Sequence, residues 1–171
     1  EHAALLTHDI AINDMRVLDE QGIVAPLRAF LDRCIATWAE GCPERSARVV
    51  QIDGVSDALT VRFDPDQLQQ VLHNLWQNSV DHGAPDGRAI TVRLSAGRLS
   101  PGQRPYLDIG DDGSGIPSNV RDQLFEPFFT TASRGTGLGL YLSREICEYN
   151  QARLTHLPTE TGTRFRLIFA G

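Results

Sequence analysis

With 171 residues, 41% of them apolar and 22% charged, the chain has ordinary globular composition and is long enough to bury one core. Sixteen basic against 22 acidic residues leave a net charge of −6 with no basic run, which argues against nucleic acid or an anionic membrane surface as the main partner. Three cysteines without C-x-x-C spacing and five histidines without an H-x-x-x-H pattern argue against a disulfide or zinc framework, and no apolar run approaches a bilayer-spanning length.

In chain order, Leu5, Leu6, Ile10, Ile12, Val17 and Leu18 fit a helix that reads as a cut end, broken at Gly22. Pro26 opens a second helix whose apolar stripe is Leu27, Phe30, Leu31, Ile35 and Trp38; Gly41 and Pro43 stop it. Residues 48–52 and 59–63 are short β-rich runs separated by Asp53, Gly54 and Asp57, so a hairpin is expected. Asp64 then caps the best-signalled helix, with Pro65 at its first position and Gln67 at the capping-box position. Leu68, Val71, Leu72, Leu75 and Trp76 form its buried face; Asn74, Asn78 and Asp81 lie along the margin, and His73 is expected in solvent.

Residues 90–94 and 106–109 are strands joined by a polar loop. Residues 112–134 hold one short helix, expected to be capped by Ser118, within a long connection of the kind that forms functional lids. A helix follows from Leu138, with Leu142, Ile146 and Tyr149 on one side and Leu140 and Cys147 on the other, a pattern expected to be buried nearly all round. Residues 153–157 and 164–169 close the chain as two strands, and the element order points to an α+β fold with helices on one face of a sheet.

Four stretches carry chemistry: Asn74 with Asn78, the DDGSG turn of residues 111–115, the FEPFF run of residues 125–129, and GTGLG at residues 135–139. The last reads as a phosphate cradle, because alternate glycines let the backbone approach a ligand and the following helix aims its free N–H groups there. Each alone has an ordinary explanation: a structural amide, a plain turn, core aromatics, a glycine turn capping a helix. Together, and in this order, they require a single one.

This constellation resembles the N box, the first glycine box, the F box and the second glycine box of the catalytic, ATP-binding domain of sensor histidine kinases, with residues 161–165 similar to that family's last glycine–threonine motif. The resemblance covers residues 24–171. It is nearest in look to the pilus- and nitrogen-regulating sensors of the PilS and NtrB type. It implies a two-layer α/β sandwich, the Bergerat fold, with about three helices on a mixed five-stranded sheet and a mobile lid. It divides the chain into residues 1–22, the tail of a dimerisation helix, and residues 23–171, the catalytic domain.

By the same resemblance the cofactors are ATP and Mg²⁺. Asp111 would accept a hydrogen bond from the adenine amino group, which guanine's carbonyl cannot offer. Gly113 and Gly115 would give the ring room, His82 would stand beside it, and Asn78 would offer its oxygen to Mg²⁺, with Asn74 reaching the same water shell. Ile116, Phe128, Gly135, Thr136, Gly137, Leu138, Gly139, Leu140 and Thr163 complete the implied nucleotide site.

Two departures stand out. Related hydrolytic ATPases carry a glutamate where this chain has Asn74, and an amide cannot take a proton from water. Asp81 replaces a usual lysine or arginine, so Arg134 is expected to supply the charge at the terminal phosphate. The implied partners are the parent protein's own dimerisation domain, which carries the phosphoacceptor histidine in a homodimer, and the receiver domain of a response regulator. Nucleic acid and membrane contact are not expected of this segment, and its expected location is the cytoplasm, with a parent that could be anchored in the inner membrane. The competing reading is a catalytically lapsed module of the same fold that senses nucleotide or docks a partner. A third, a water-hydrolysing ATPase, would release phosphate unaided.

Overall fold

The computed structural model describes residues 23–24, 26–41, 49–82, 86, 88–100, 103–130 and 137–171. The expected opening helix, Cys42, and the site candidates Arg134, Gly135 and Thr136 lie outside the described residues. The elements are β1 (Ile23–Val24), α1 (Leu27–Gly41), β2 (Val49–Ile52), β3 (Val61–Arg62), α2 (Pro65–His82), β4 (Thr91–Arg98), β5 (Pro105–Asp111), a 3-10 helix (Ser118–Gln123), α3 (Gly139–Tyr149), β6 (Arg153–Leu157) and β7 (Thr163–Ile168). Five strands form one mixed sheet in the order β2-β4-β5-β7-β6, and α1, α2 and α3 supply the second layer of an α+β sandwich.

The expected hairpin does not form. β2 joins β4 in parallel, Val50 opposite Val92, whereas β3 pairs antiparallel with β1, Val61 opposite Val24. An alternating pattern specifies a strand but not its partner, and a free hairpin would leave its apolar face wet. Splitting the two runs buries Val61 and Phe63 in the core, and the stretch containing β3 and α2 is long enough to carry the chain across to a parallel neighbour.

Helix α2 starts as its sequence dictates: Asp64 Oδ1 accepts from the Gln67 N–H at 2.9 Å, and the Asp64 carbonyl accepts from Leu68 N at 2.9 Å. The reciprocal half of the capping box comes from elsewhere. Asn150, at the end of α3, accepts the Asp64 N–H through Oδ1 at 3.0 Å and donates through Nδ2 to Gln67 Oε1 and the Ile146 carbonyl, both at 2.8 Å. One side chain thus joins the end of α3 to the start of α2.

Three local expectations change. His73 is half-buried, its ring 5.5 Å from that of Trp38 and 5.4 Å from that of Trp76, because Trp38 reaches over from α1. Burial lowers its pKa, partly opposed by a hydrogen bond to the Cys34 backbone. Helix α3 is amphipathic: Leu142, Ser143, Ile146 and Cys147 are buried, but Tyr149 is 43% exposed beside an Arg144–Glu148 ion pair on the solvent side. Ser118 makes no capping hydrogen bond, since Pro117 precedes a tight 3-10 turn instead of an α-helix. Trp76, Phe63 and Phe169 anchor the core, the last two edge to face at 6.1 Å.

Candidate functional site

A cleft of about 860 Å³ opens between α2, the end of β5, the 3-10 helix, the β6–β7 turn and the start of α3. Asn74, Asn78 and His82 line it from α2; Asp111, Gly113, Gly115 and Ile116 from the segment after β5; Gly137, Gly139 and Leu140 from the second glycine stretch; Thr163 from β7. Stretches up to 89 positions apart in the chain therefore share one space.

At its floor stands Asp111. Its Oδ2 accepts from Ser79 Oγ at 2.8 Å, and its Oδ1 accepts from Gly113 N at 2.9 Å and Thr163 N at 3.2 Å. A carboxylate has about four acceptor positions, so about one remains for a donor in the cleft. The neighbouring Asp112 is spent differently: it accepts from Thr91 N at 2.9 Å and pairs with Arg88 at the sheet margin. Adjacent aspartates in extended backbone face opposite ways, and only the first reaches the cavity.

Backbone interlocks hold this floor. Gly162 has φ +69°, and a Cβ there would overlap the Asp111 carbonyl; a Cβ on Gly115, at φ +80°, would lie 2.9 Å from the Gly162 carbonyl oxygen. A second pinch closes the base of the expected lid, where Phe128 N donates to the Gly137 carbonyl at 2.9 Å and a Cβ on Gly137 would overlap the Phe128 backbone.

The metal candidates fit a hard, water-retaining cation. Among the described residues nothing binds the Asn78 amide, and Asn74 donates through Nδ2 to Ser143 Oγ at 3.3 Å, which leaves its oxygen available. No group of three or more His, Cys, Asp or Glu forms a metal cage among the described residues, so an ion here would take most ligands from water and phosphate, as Mg²⁺ does. At the glycine end, α3 begins at Gly139 without a side-chain cap, and its first N–H groups remain available to an anion.

Two candidates are not in the cleft lining. Phe128 has φ +66° and is 75% exposed; the turn at the pinch throws its ring outwards. Leu138 serves instead as the first carbonyl of α3, accepting from Leu142 N at 2.8 Å. In the same FEPFF run, Phe125 packs 6.2 Å from Phe165 under the Arg144 guanidinium, and Phe129 lines the cavity.

Sequence reasoning missed Ser79, although it directly follows Asn78, because nothing local announces a partner 32 positions away. It also missed Arg121, the one arginine lining the cleft among the described residues, beside the acidic Asp81, Asp111 and Glu160. Asp81 is occupied within its own helix, accepting from Gln77 Nε2 at 2.8 Å.

The family model for histidine kinase-, DNA gyrase B- and HSP90-like ATPases matches residues 63–170. Over 166 residues, 95% of this chain, the sequence is 50% identical to the sensor protein kinase PilS of Pseudomonas aeruginosa, and it spans 31% of that protein's length. The catalytic domain of histidine kinase ThkA superposes with a TM-score of 0.72 at 22% identity, over 88% of this chain and 95% of that one. ThkA solved in complex with the response regulator TrrA gives 0.71 at 19% identity, over 98% and 47%. Full-length ShkA, solved with AMPPNP, gives 0.73 at 19% identity, over 98% and 36%. At these identities the solved structures establish the shared fold.

Proposed function

The chain belongs to the histidine kinase-, DNA gyrase B- and HSP90-like ATPase family, and from that premise we propose that it is the catalytic module of a sensor histidine kinase. It holds Mg·ATP in the cleft and presents the γ-phosphate to a histidine on the parent's dimerisation domain, for relay to a response regulator. The observation that carries this reading is Asp111, tethered by Ser79, Gly113 and Thr163 with an acceptor position left for the cleft, in the same cavity as Asn78 and the uncapped start of α3.

The chain's own residues divide the work. Asp111 takes the adenine amino group, and Ile116 and Leu140 give the ring apolar contact. Asn78 and Asn74 offer amide oxygens toward Mg²⁺, which when bound neutralises phosphate charge and aligns the terminal group. The first N–H groups of α3, with Gly137 and Gly139 allowing close approach, receive the phosphates. Asn74 cannot act as a base, so water is not activated and the nucleotide waits for an incoming imidazole. Arg121 lines the cleft and is available to balance its acidic lining; the charge expected of Arg134 falls on a residue outside those described.

PilS, ThkA with TrrA, and ShkA with AMPPNP support the same reading of substrate and partner. Among the described residues no helix is long and apolar enough to cross a membrane; we place the module in the cytoplasm, where its nucleotide is. Titration with Mg·ATP tests the site: no binding at millimolar nucleotide, or an Asp111→Asn chain of unchanged affinity, overturns it. The second reading, a lapsed nucleotide-sensing module, is favoured by Asp81 in the cleft wall where a base is usual. Labelled ATP, this chain and a separate dimerisation domain distinguish them, since only a kinase transfers label to histidine.

A further inference from the structure

The sheet carries the core on one face only. Val92, Leu94, Leu107, Ile109, Leu154, Phe165 and Leu167 belong to the core cluster with the three helices, and the alternate residues of the same strands point the other way. On that outer face the registered rows place four arginines, Arg93, Arg153, Arg164 and Arg166, with two aspartates, Asp53 and Asp108. All 16 basic residues of the chain are arginines, and against its net charge of −6 this face is a positive island.

The face is built, not merely uncovered. Arg166 grips Asp108 with two bonds of 2.7 and 2.8 Å and stacks 4.4 Å over the Tyr106 ring, which itself lies across Gly97. Arg93 is paired with Asp53 at 3.2 Å. Arg153 and Arg164 have no carboxylate partner among the described residues. They stand opposite Ile168 and Leu157 respectively, both half-buried, with Thr155 and the Asp108-paired Arg166 in the row between them, so two unneutralised guanidiniums flank one that is already neutralised. Their backbone separation, four residues along and one strand across, is roughly 14 Å.

We propose that this outer sheet face docks an acidic surface of a partner protein, with Arg153 and Arg164 as the two recognition charges. Two carboxylates about that far apart complement it, with the apolar Ile168 and Leu157 beside each arginine to pack against their stems. The Arg166–Asp108 pair shows in place the planar guanidinium–carboxylate geometry that such contacts use. A nucleic acid or an anionic bilayer is the poorer match, since two of the four arginines are already neutralised and the molecule as a whole repels an extended polyanion. The proposal is independent of the nucleotide site, which lies on the helical side of the sheet.

The test titrates the isotope-labelled 171-residue chain with a short peptide carrying two glutamates four residues apart in an otherwise uncharged sequence and follows backbone amide shifts. The expected result is perturbation centred on β5, β6 and β7 that fades with salt, an affinity about tenfold weaker for the Arg153→Glu/Arg164→Glu chain, and an unchanged unfolding temperature. Should that reversal unfold the chain, Arg153→Ala/Arg164→Ala is read instead. Shifts scattered away from this face, or undiminished affinity in the variant, overturn the proposal. Sedimentation with phosphatidylglycerol vesicles through the same arginines, without peptide binding, overturns it in favour of a membrane. Self-association that the double variant abolishes overturns it in favour of a second copy.

Discussion

Ser79 and Asp111 meet across 32 positions of sequence, the serine hydroxyl donating to the aspartate Oδ2 at 2.8 Å on the floor of the cleft. The serine is 7% exposed, so its hydroxyl has little water to turn to. Without it the carboxylate would keep only the two Oδ1 bonds from Gly113 N and Thr163 N, and Oδ2 would lose its one protein partner among the described residues.

Two substitutions separate positioning from recognition. Asp111→Asn replaces an acceptor with an amide that must also satisfy Gly113 and Thr163, and ATP affinity is expected to fall at least about tenfold, with discrimination against GTP reduced. Ser79→Ala leaves the acceptor in place and should cost about 1 kcal/mol, or roughly fivefold. Calorimetric titration with both nucleotides checks each; equal losses for the two variants would contradict the assigned roles.

Asn150 ties together helix ends that the chain leaves far apart. Asn150→Ala removes its bonds to Asp64, Gln67 and Ile146, and the chain is expected to lose about 2–3 kcal/mol of stability, read as a lower urea midpoint. Asn150→Asp keeps the acceptor for Asp64 N but sets an oxygen against the Ile146 carbonyl and Gln67 Oε1, and should cost at least as much.

Gly162→Ala is expected to be among the most damaging single changes, on the order of 3 kcal/mol or more, because the added Cβ meets the Asp111 carbonyl while φ stays positive. Thermal unfolding measures it. A nearly silent substitution would mean that the β6–β7 turn can move off the Asp111 segment.

Stability should respond to pH through His73 and His156, both of whose pKa values are lowered, chiefly by burial. A base that is harder to protonate when folded takes up protons more readily unfolded, so its contribution is present above the ordinary value of 6.5 and is lost as pH falls below it. Unfolding free energy is therefore expected to decline on acidification from pH 7, and His73→Phe should flatten that slope.

Removing magnesium with EDTA should weaken ATP binding by the unsubstituted chain, and Asn78→Ala should abolish most of the difference between the two conditions. An Asn78→Ala chain that keeps full magnesium dependence would place the ion elsewhere.

Much was legible in the sequence where the physics is local. The Asp64 cap, the apolar face of α2 and the glycine stretches involve neighbours within a turn or two, and steric rules act on them directly. The four boxes identified the nucleotide-binding family because each places a chemically constrained residue at a set distance from the next. Position by position, Asn74, Asn78, His82 and Asp111 fall in one cleft as expected, whereas Phe128 turns outwards at a backbone pinch that its aromatic character does not reveal.

By itself, then, the order of residues determined the helices α1, α2 and α3 and the strands β2 to β7, and offered candidate side chains for phosphate, metal and adenine. Only the tertiary structure decided that β2 pairs with β4 and not with β3, that His73 is wedged between two tryptophans, and that Asn150 completes a helix cap on the far side of the chain. The reason is physical. Periodicity and capping depend on dihedral angles within a few residues, but strand partnership and burial depend on which distant surfaces exclude water together, and that is settled only when the whole core packs.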